Sequence, residues 1–191
     1  SFLGAVEETS ADHVKRLFET NVFSLLNVTR AVLPHMRGRR RGHIVNIASV
    51  AGYSGYAGFG VYSGTKFAVE GLSEALHLEL APLGVNVTIV EPGFFRTDIL
   101  DHATSLVEAD IRFADYDATA GAVREFVPQI NRNQPGDSVK LAYALIELAN
   151  APHPPLRLPL GTDCLQRVAE KDAVVQRERE SWRAVAASTG V

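Results

Sequence analysis

The sequence predicts an α/β fold in which parallel strands pack against helices. Two short apolar segments suited to buried strands, residues 43–48 and 85–90, each follow a long segment with helical periodicity. Strands that alternate with long helices pair in parallel, because the helix returns the chain to the same end of the sheet. The chain has 191 residues, of which 46% are hydrophobic, so we expect residues 1–191 to form a single domain with a sizeable core.

The first long helix is expected over residues 9–36. Thr9 or Ser10 can cap its N-terminus. Apolar residues recur along it with a helical period, at Val14, Leu17, Phe18, Val22, Leu25 and Val32. A run of arginines around Gly38 follows the helix. We interpret this run as a solvated helix C-terminus, where cations suit the helix dipole, rather than as a site for an acidic partner.

The second helix is expected over residues 62–80, because Pro82 and Gly84 then end the helical pattern. Residues 52–60 form a glycine-spaced loop between the first strand and this helix. The spacing of these glycines does not match the dinucleotide fingerprint. We therefore expect the loop to serve backbone packing or the close approach of a substrate, rather than phosphate binding.

The C-terminal half is less regular, and we expect short helices around a mobile segment at residues 98–135. A helix is expected over residues 140–149, and three prolines then break the chain. A short strand at residues 156–158 and a charged helix over residues 163–187 complete the predicted order.

A serine, a tyrosine and a lysine are expected to meet at the carboxyl end of the sheet. Tyr62 and Lys66 are four residues apart, so they share one face of the second helix. Ser49 directly follows the first strand, and ligands of α/β sheets bind at the carboxyl ends of strands. An adjacent ammonium favours the phenolate, so we expect Lys66 to lower the pKa of Tyr62. Tyr62 could then exchange a proton with an alcohol or carbonyl oxygen that the Ser49 hydroxyl holds.

Each of these residues alone also has an ordinary structural explanation, and only their combination is specific. Asn21 lies on the apolar face of the first helix, so it is either a satisfied core amide or part of a relay through water to Lys66. A serine hydrolase at Ser49 is not indicated, because the sequence has no GxSxG motif and no histidine placed as its base. The histidines lack metal-ligand spacing, so no metal site is predicted.

The composition argues against several kinds of partner. The net charge of −3 gives no basic surface for nucleic acid, and no apolar run approaches the length of a membrane span. Cys164 is the single cysteine and cannot form an intramolecular disulfide, which fits a reducing compartment. No export leader precedes the first helix. We therefore expect a cytoplasmic protein that acts on a small molecule.

Four segments together resemble the classical short-chain dehydrogenases/reductases: FETNVFS, GHIVNIASVAG, VYSGTKFAVEGLSEALHLEL and VNVTIVEPGFFRTD. The resemblance implies a Rossmann-like, doubly wound parallel sheet in three α/β/α layers. The resemblance also implies that Tyr62 of the YxxxK motif is the catalytic acid/base and that Ser49 orients the substrate oxygen. Lys66 would bind the nicotinamide ribose and depress the pKa of Tyr62. Asn21 would complete a catalytic tetrad by holding a relay water.

The resemblance also implies a cofactor and a substrate class. Four residues match the segment that grips the nicotinamide end of NAD or NADP: Pro92, Gly93, Phe95 and Thr97. The backbone at Phe95 and the hydroxyl of Thr97 would hold the carboxamide. The substrate would be a secondary alcohol or ketone, and residues 98–135 would form its lid. The aromatic residues there, together with one that precedes them, either indicate an apolar substrate or belong to the ordinary core packing: Phe113, Tyr116, Phe126 and Phe94.

The family's TGxxxGxG loop and NNAG segment do not occur in the sequence, and the family pattern places Ser1 just after NNAG. We therefore expect an N-terminally incomplete fold that lacks roughly 80 residues of nucleotide anchor. The strand at residues 43–48 would then be an exposed apolar edge, and the 191 residues alone would show no useful turnover. Alternatively, the chain is a truncated, non-catalytic partner of a full-length relative. The family commonly dimerises through these two long helices, so the resemblance implies a homo-oligomer, and in the alternative the same helices could still pair with the relative.

Overall fold

The structure is a computed structural model that describes residues 1–190. In chain order, its first half contains β1 (Phe2–Leu3), α1 (Ala11–Phe18), a π-helical turn (Glu19–Phe23), α2 (Ser24–Gly38), β2 (Gly42–Ile47), α3 (Val50–Tyr53) and α4 (Gly60–Leu80). Its second half contains β3 (Val85–Pro92), β4 (Val107–Glu108), α5 (Ala122–Ile130), α6 (Ser138–Asn150), β5 (Arg157–Leu160), α7 (Thr162–Ser181) and α8 (Arg183–Ala187). Strands therefore alternate with helices, as the periodicities predict.

The main sheet is parallel and has three strands in the order β2–β3–β5. β2 pairs with β3 over its whole length, from Gly42 opposite Val85 to Ile47 opposite Val90. The C-terminal half of β3 pairs with β5, so that Val90 lies opposite Leu158. A separate parallel pair joins β1 to β4. Helices pack on this parallel sheet, which confirms the predicted α/β class.

One face of β2 and β3 forms the core with α2 and α4. Buried apolar side chains from both strands and from α4 meet there: Ile44, Val85, Val87 and Leu80. Leu33 and Met36 of α2 pack against the same cluster. Alternate residues of a strand point to one face, so Val85 and Val87 can reach the helices together. Gly84 connects α4 to β3 with a φ of +69°, and a Cβ there would clash with the carbonyl oxygen of Arg40.

Three local features differ from the sequence-based expectation. The first helix is interrupted by the π-helical turn at Glu19–Phe23. The glycine-spaced loop begins within the short helix α3, whose N-terminus is capped by the Ser49 side chain. The segment 98–135 contains α5 and β4 besides short 3₁₀ and π turns. Gly52 of α3 packs closely on the backbone of Lys66, which favours the packing explanation for this glycine.

β2 is an edge strand, because within residues 1–190 it pairs with β3 alone. Val45 and Ile47 on its outer face are 37% and 46% exposed. A groove of about 470 Å³ follows this edge, lined by β2, the π-helical turn and α2. Within residues 1–190 this edge of the sheet is therefore exposed and apolar.

Among the helices of residues 1–190, none combines the length and the apolar character that crossing a membrane requires.

Candidate active site

A cavity of about 370 Å³ opens where β2 and β3 end, at the carboxyl edge of the sheet. Residues 47–51 after β2 and residues 92–95 at the end of β3 form two of its walls. Tyr62 and Lys66 reach it from α4, and Leu141 and Leu145 reach it from α6. The cavity thus brings together Ser49, Tyr62 and Lys66, as predicted from the ends of the strands.

Ser49 is held by the start of α3. Its backbone is extended, and its Oγ accepts a hydrogen bond from the N–H of Ala51 at 3.1 Å. This capping bond uses a lone pair and leaves the hydroxyl proton available for donation. Burial raises the pKa of Tyr62, and the nearby Ser49 side chain opposes this shift. The serine and the tyrosine therefore lie close together in the cavity.

The net pKa shift of Tyr62 is upward, because burial raises the pKa more than the Ser49 side chain lowers it. Lys66 Nζ lies 5.8 Å from the centre of the Tyr62 ring and donates a hydrogen bond to the carbonyl of Ile47 at 2.9 Å. The expectation that Lys66 lowers the pKa of Tyr62 is therefore wrong for this structure. Burial also lowers the pKa of Lys66 itself, although the nearby Glu70 opposes this shift.

Asn21 lies in the π-helical turn and faces α4. Its Nδ2 donates to Thr65 Oγ1 at 3.0 Å, and Thr65 Oγ1 donates to the carbonyl of Tyr62 at 2.7 Å. Asn21 thereby ties the first helix to the turn of α4 that carries the tyrosine. Asn21 and Lys66 both line the groove along β2, whereas Asn21 does not line the cavity. The contact supports the structural explanation for this amide, and the relay stays a prediction. Single π turns occur often at functional sites.

The predicted nicotinamide-binding residues all line the cavity: Pro92, Gly93, Phe95 and Thr97. The chain beside them forms a bridge in which Gly136 N–H donates to Phe94 C=O at 2.9 Å and Arg96 N–H donates to Gly136 C=O at 3.0 Å. Within residues 1–190, no hydrogen bond engages the N–H or C=O of Phe95 itself. A carboxamide needs one such donor and one such acceptor, so this segment fits the nicotinamide end of a cofactor.

Asp163, in the first turn of α7, is a site residue that the sequence-based prediction missed. Its Oδ2 accepts a hydrogen bond from the N–H of Phe94 at 2.7 Å. A Cβ at Gly93 or at Gly161 would overlap its carboxylate. The carboxylate therefore holds the loop that follows β3 in place. The sequence feature that could have indicated Asp163 is an acidic residue in the first turn of a helix that directly follows a strand.

The apolar residues that line the cavity are mostly not the aromatic residues expected from the sequence. Phe94 lines the cavity, whereas Phe113, Tyr116 and Phe126 do not, so the expectation is wrong for these three. Tyr116 lies elsewhere and donates to Glu7 at 2.6 Å. Apolar and aromatic residues from other segments take their place: Tyr56, Phe59, Ile99, Leu100, Leu141 and Leu145. These residues are distant in sequence, and their convergence depends on the packing of α6 and the 98–100 turn beside the sheet.

Comparisons with a family model and with known proteins point to the same family. A family model described as short chain dehydrogenase matches residues 2–108. The chain is 37% identical over 158 residues to a protein named 3-ketodihydrosphingosine reductase from Bacteroides thetaiotaomicron, a match that covers 83% of this chain and 58% of that protein. Overall, the chain spans about three fifths of the length of the curated relatives it matches.

Solved structures agree with this result. A short-chain dehydrogenase from Streptomyces avermitilis is similar with a TM-score of 0.89 and 38% identity, covering 100% of this chain and 68% of that one. A short-chain dehydrogenase/reductase from Burkholderia phymatum, solved in complex with NAD, is similar with a TM-score of 0.73 and 26% identity. That second match covers 91% of this chain and 63% of the other.

Proposed function

The chain belongs to the short-chain dehydrogenase family, and from this membership we propose that it carries the catalytic part of an NAD(P)-dependent oxidoreductase. The reaction is a reversible hydride transfer between the nicotinamide and a secondary alcohol or ketone. The observation that carries the proposal is the meeting of Ser49, Tyr62 and Lys66 in one cavity, beside the free backbone groups of Phe95.

Tyr62 is the acid/base of the proposed reaction. The nicotinamide cofactor would donate the hydride in the reductive direction and accept it in the oxidative direction, where the positive charge of its oxidised ring would favour the phenolate. Burial raises the pKa of Tyr62, so the phenol is protonated at neutral pH and ready to protonate the oxygen of a ketone. Ser49 donates a hydrogen bond to the same oxygen and stabilises the charge that develops on it. In the oxidative direction, Tyr62 accepts the alcohol proton.

The cofactor-binding roles follow the polar groups that face the cavity. The N–H and C=O of Phe95 and the hydroxyl of Thr97 hold the carboxamide, and Lys66 binds the nicotinamide ribose. Asp163 keeps the loop after β3 in position through its bond to Phe94. NAD and NADP share this end of the molecule, so both remain candidates.

The proposed substrate is an apolar alcohol or ketone. Most of the residues that line the cavity are apolar or aromatic, which favours such a substrate. Residues 98–135 act as the substrate lid, since Ile99, Leu100 and Gln134 of this segment line the cavity. The buried ion pair between Glu8 and Arg124 and the pairing of β1 with β4 anchor this lid to the N-terminal segment.

The exposed apolar side chains of the long helices support a homo-oligomer. On α2 and α4, Val28, Phe67 and Leu78 are 65%, 44% and 73% exposed. The same exposed helix side chains favour, as a second candidate function, a non-catalytic role as an oligomerisation partner of a full-length relative. The buried Cys164, the single cysteine of the sequence, fits a reducing compartment such as the cytoplasm.

The experiment compares Tyr62→Phe with Tyr143→Phe in the natural full-length chain. Tyr143 is 62% exposed on α6 and serves as the matched control. Oxidation of NADH and NADPH is followed spectroscopically with a panel of ketones of increasing size. We expect Tyr62→Phe to lose about 10²–10⁴-fold in kcat, and Tyr143→Phe to keep wild-type activity. Full activity of Tyr62→Phe would contradict the acid/base role, and a wild type that binds neither cofactor would favour the non-catalytic candidate.

A further inference from the structure

Gln134 is a buried amide whose hydrogen-bonding groups lack protein partners. The residue as a whole is 2% exposed. Both Nε2 and Oε1 are buried and have no hydrogen-bond partner within residues 1–190. No other buried side chain in that range leaves two polar atoms unpartnered.

Gln134 is a residue of the cavity wall. Gly136, two residues later, forms the backbone bridge with the segment Phe94–Arg96. Gln134 lines the same cavity as Ser49 and Tyr62, and it is the one side-chain amide among the lining residues that the structure describes. Most residues that line this cavity are apolar, and among residues 1–190 the one charged side chain in its wall is Lys66. Gln134 is therefore an amide residue in a mainly apolar wall.

An unpartnered buried amide is costly, and an apolar side chain of the same shape would be more stable there. A buried amide without protein partners can be tolerated when a ligand supplies the missing hydrogen bonds. Nε2 needs an acceptor and Oε1 needs a donor, so the matching ligand group must offer both. A hydroxyl or a carboxamide does so, whereas a carboxylate only accepts.

We propose that Gln134 binds a neutral hydroxyl or carboxamide of the ligand that occupies the cavity, an inference that rests on the proposed function. This group has two sources: the carboxamide of the nicotinamide, or a second polar group on the substrate, remote from the reacting oxygen. In both cases Gln134 selects ligands by hydrogen bonding, and ligands that lack the group leave the amide unpaired.

The first test measures stability without ligand. Gln134→Met keeps the length of the side chain and removes both polar atoms, and Gln129→Met on the exposed side of α5 is the control. In the natural full-length chain, we expect Gln134→Met to raise the Tm by about 2–10 °C, because the desolvation cost is removed. We expect Gln129→Met to leave the Tm unchanged. A lower Tm for Gln134→Met would show that the amide is already satisfied, and would overturn the proposal.

The second test measures Kd by calorimetry for NADH, NADPH, 2-octanone and 8-hydroxy-2-octanone. Weaker binding of the cofactors by about tenfold or more in Gln134→Met would identify the carboxamide as the source. A similar loss for the hydroxyketone, with 2-octanone unchanged, would identify the substrate. Unchanged Kd values for all four ligands would overturn the proposal. Turnover of 2-octanone by the wild type tests the proposed function separately, because the Kd values do not depend on it.

Discussion

Glu70 lies one turn beyond Lys66 on α4, and its carboxyl shares one arginine with two other carboxylates. Arg157 on β5 donates hydrogen bonds to Glu70, Glu91 and Glu74. The Glu70 side chain is 6% exposed. Burial, and then the charge of Glu91, raise the pKa of Glu70 from 4.5 to about 7, although Arg157 opposes this shift. The single positive charge of Arg157 thus faces three carboxyl groups, and we expect the Glu70 carboxyl to be protonated below about pH 7.

This proton links stability to pH. The unfolded chain releases it near pH 4.5, whereas the folded protein keeps it until about pH 7. Between these values the folded state binds more protons, so the free energy of unfolding falls as the pH rises, and the loss is complete above pH 7. A shift of this size corresponds to about 3 kcal/mol in total, of which about 2–3 kcal/mol lies between about pH 5 and pH 8.

The assay compares the Tm of the wild type and of Glu70→Gln at about pH 5 and about pH 8. Glutamine resembles the protonated carboxyl, so we expect similar Tm values at the lower pH. At the higher pH we expect the variant to melt about 4–12 °C above the wild type. Glu74→Gln is the control, because Glu74 bonds to the same arginine but its side chain is 51% exposed. An equal Tm difference between Glu70→Gln and wild type at both pH values would refute the raised pKa.

Three further predictions concern other parts of the fold. Asp163→Ala removes the acceptor for Phe94 N–H, so we expect cofactor Kd to rise about tenfold by calorimetry, with Asp163→Asn retaining most affinity. Wild-type affinity of Asp163→Ala would contradict this role. Arg124→Met removes the counter-ion of the buried Glu8 carboxylate, which keeps the hydrogen bonds from Ala5 and Phe113 N–H, and should lower the free energy of unfolding in urea by about 3 kcal/mol; a loss below about 1 kcal/mol would show that the pair matters little. Burial raises the pKa of Cys164 to about 12, so a thiol-specific disulfide reagent should react only after unfolding, and rapid labelling of the native protein would contradict its burial.

The long helices and the strands β2 and β3 follow from local patterns in the sequence. A helix or strand that buries one face needs apolar residues at its own period, and this period is visible without knowledge of the partner element. The placement of Tyr62 and Lys66 on one helix face, and of Ser49 at a strand end, follows in the same way. These residues therefore meet where the sequence predicts.

The tertiary structure alone decided the environment of these residues. The pKa of Tyr62 shifts upward because distant segments bury the phenol, which no spacing reveals. Asp163 reaches Phe94 across 69 residues of chain. Gln134 is an ordinary glutamine in the sequence and becomes an unpaired amide only when the walls of the cavity close around it. Local periodicity encodes which elements form, whereas desolvation and hydrogen-bond partners depend on contacts between residues far apart in the chain.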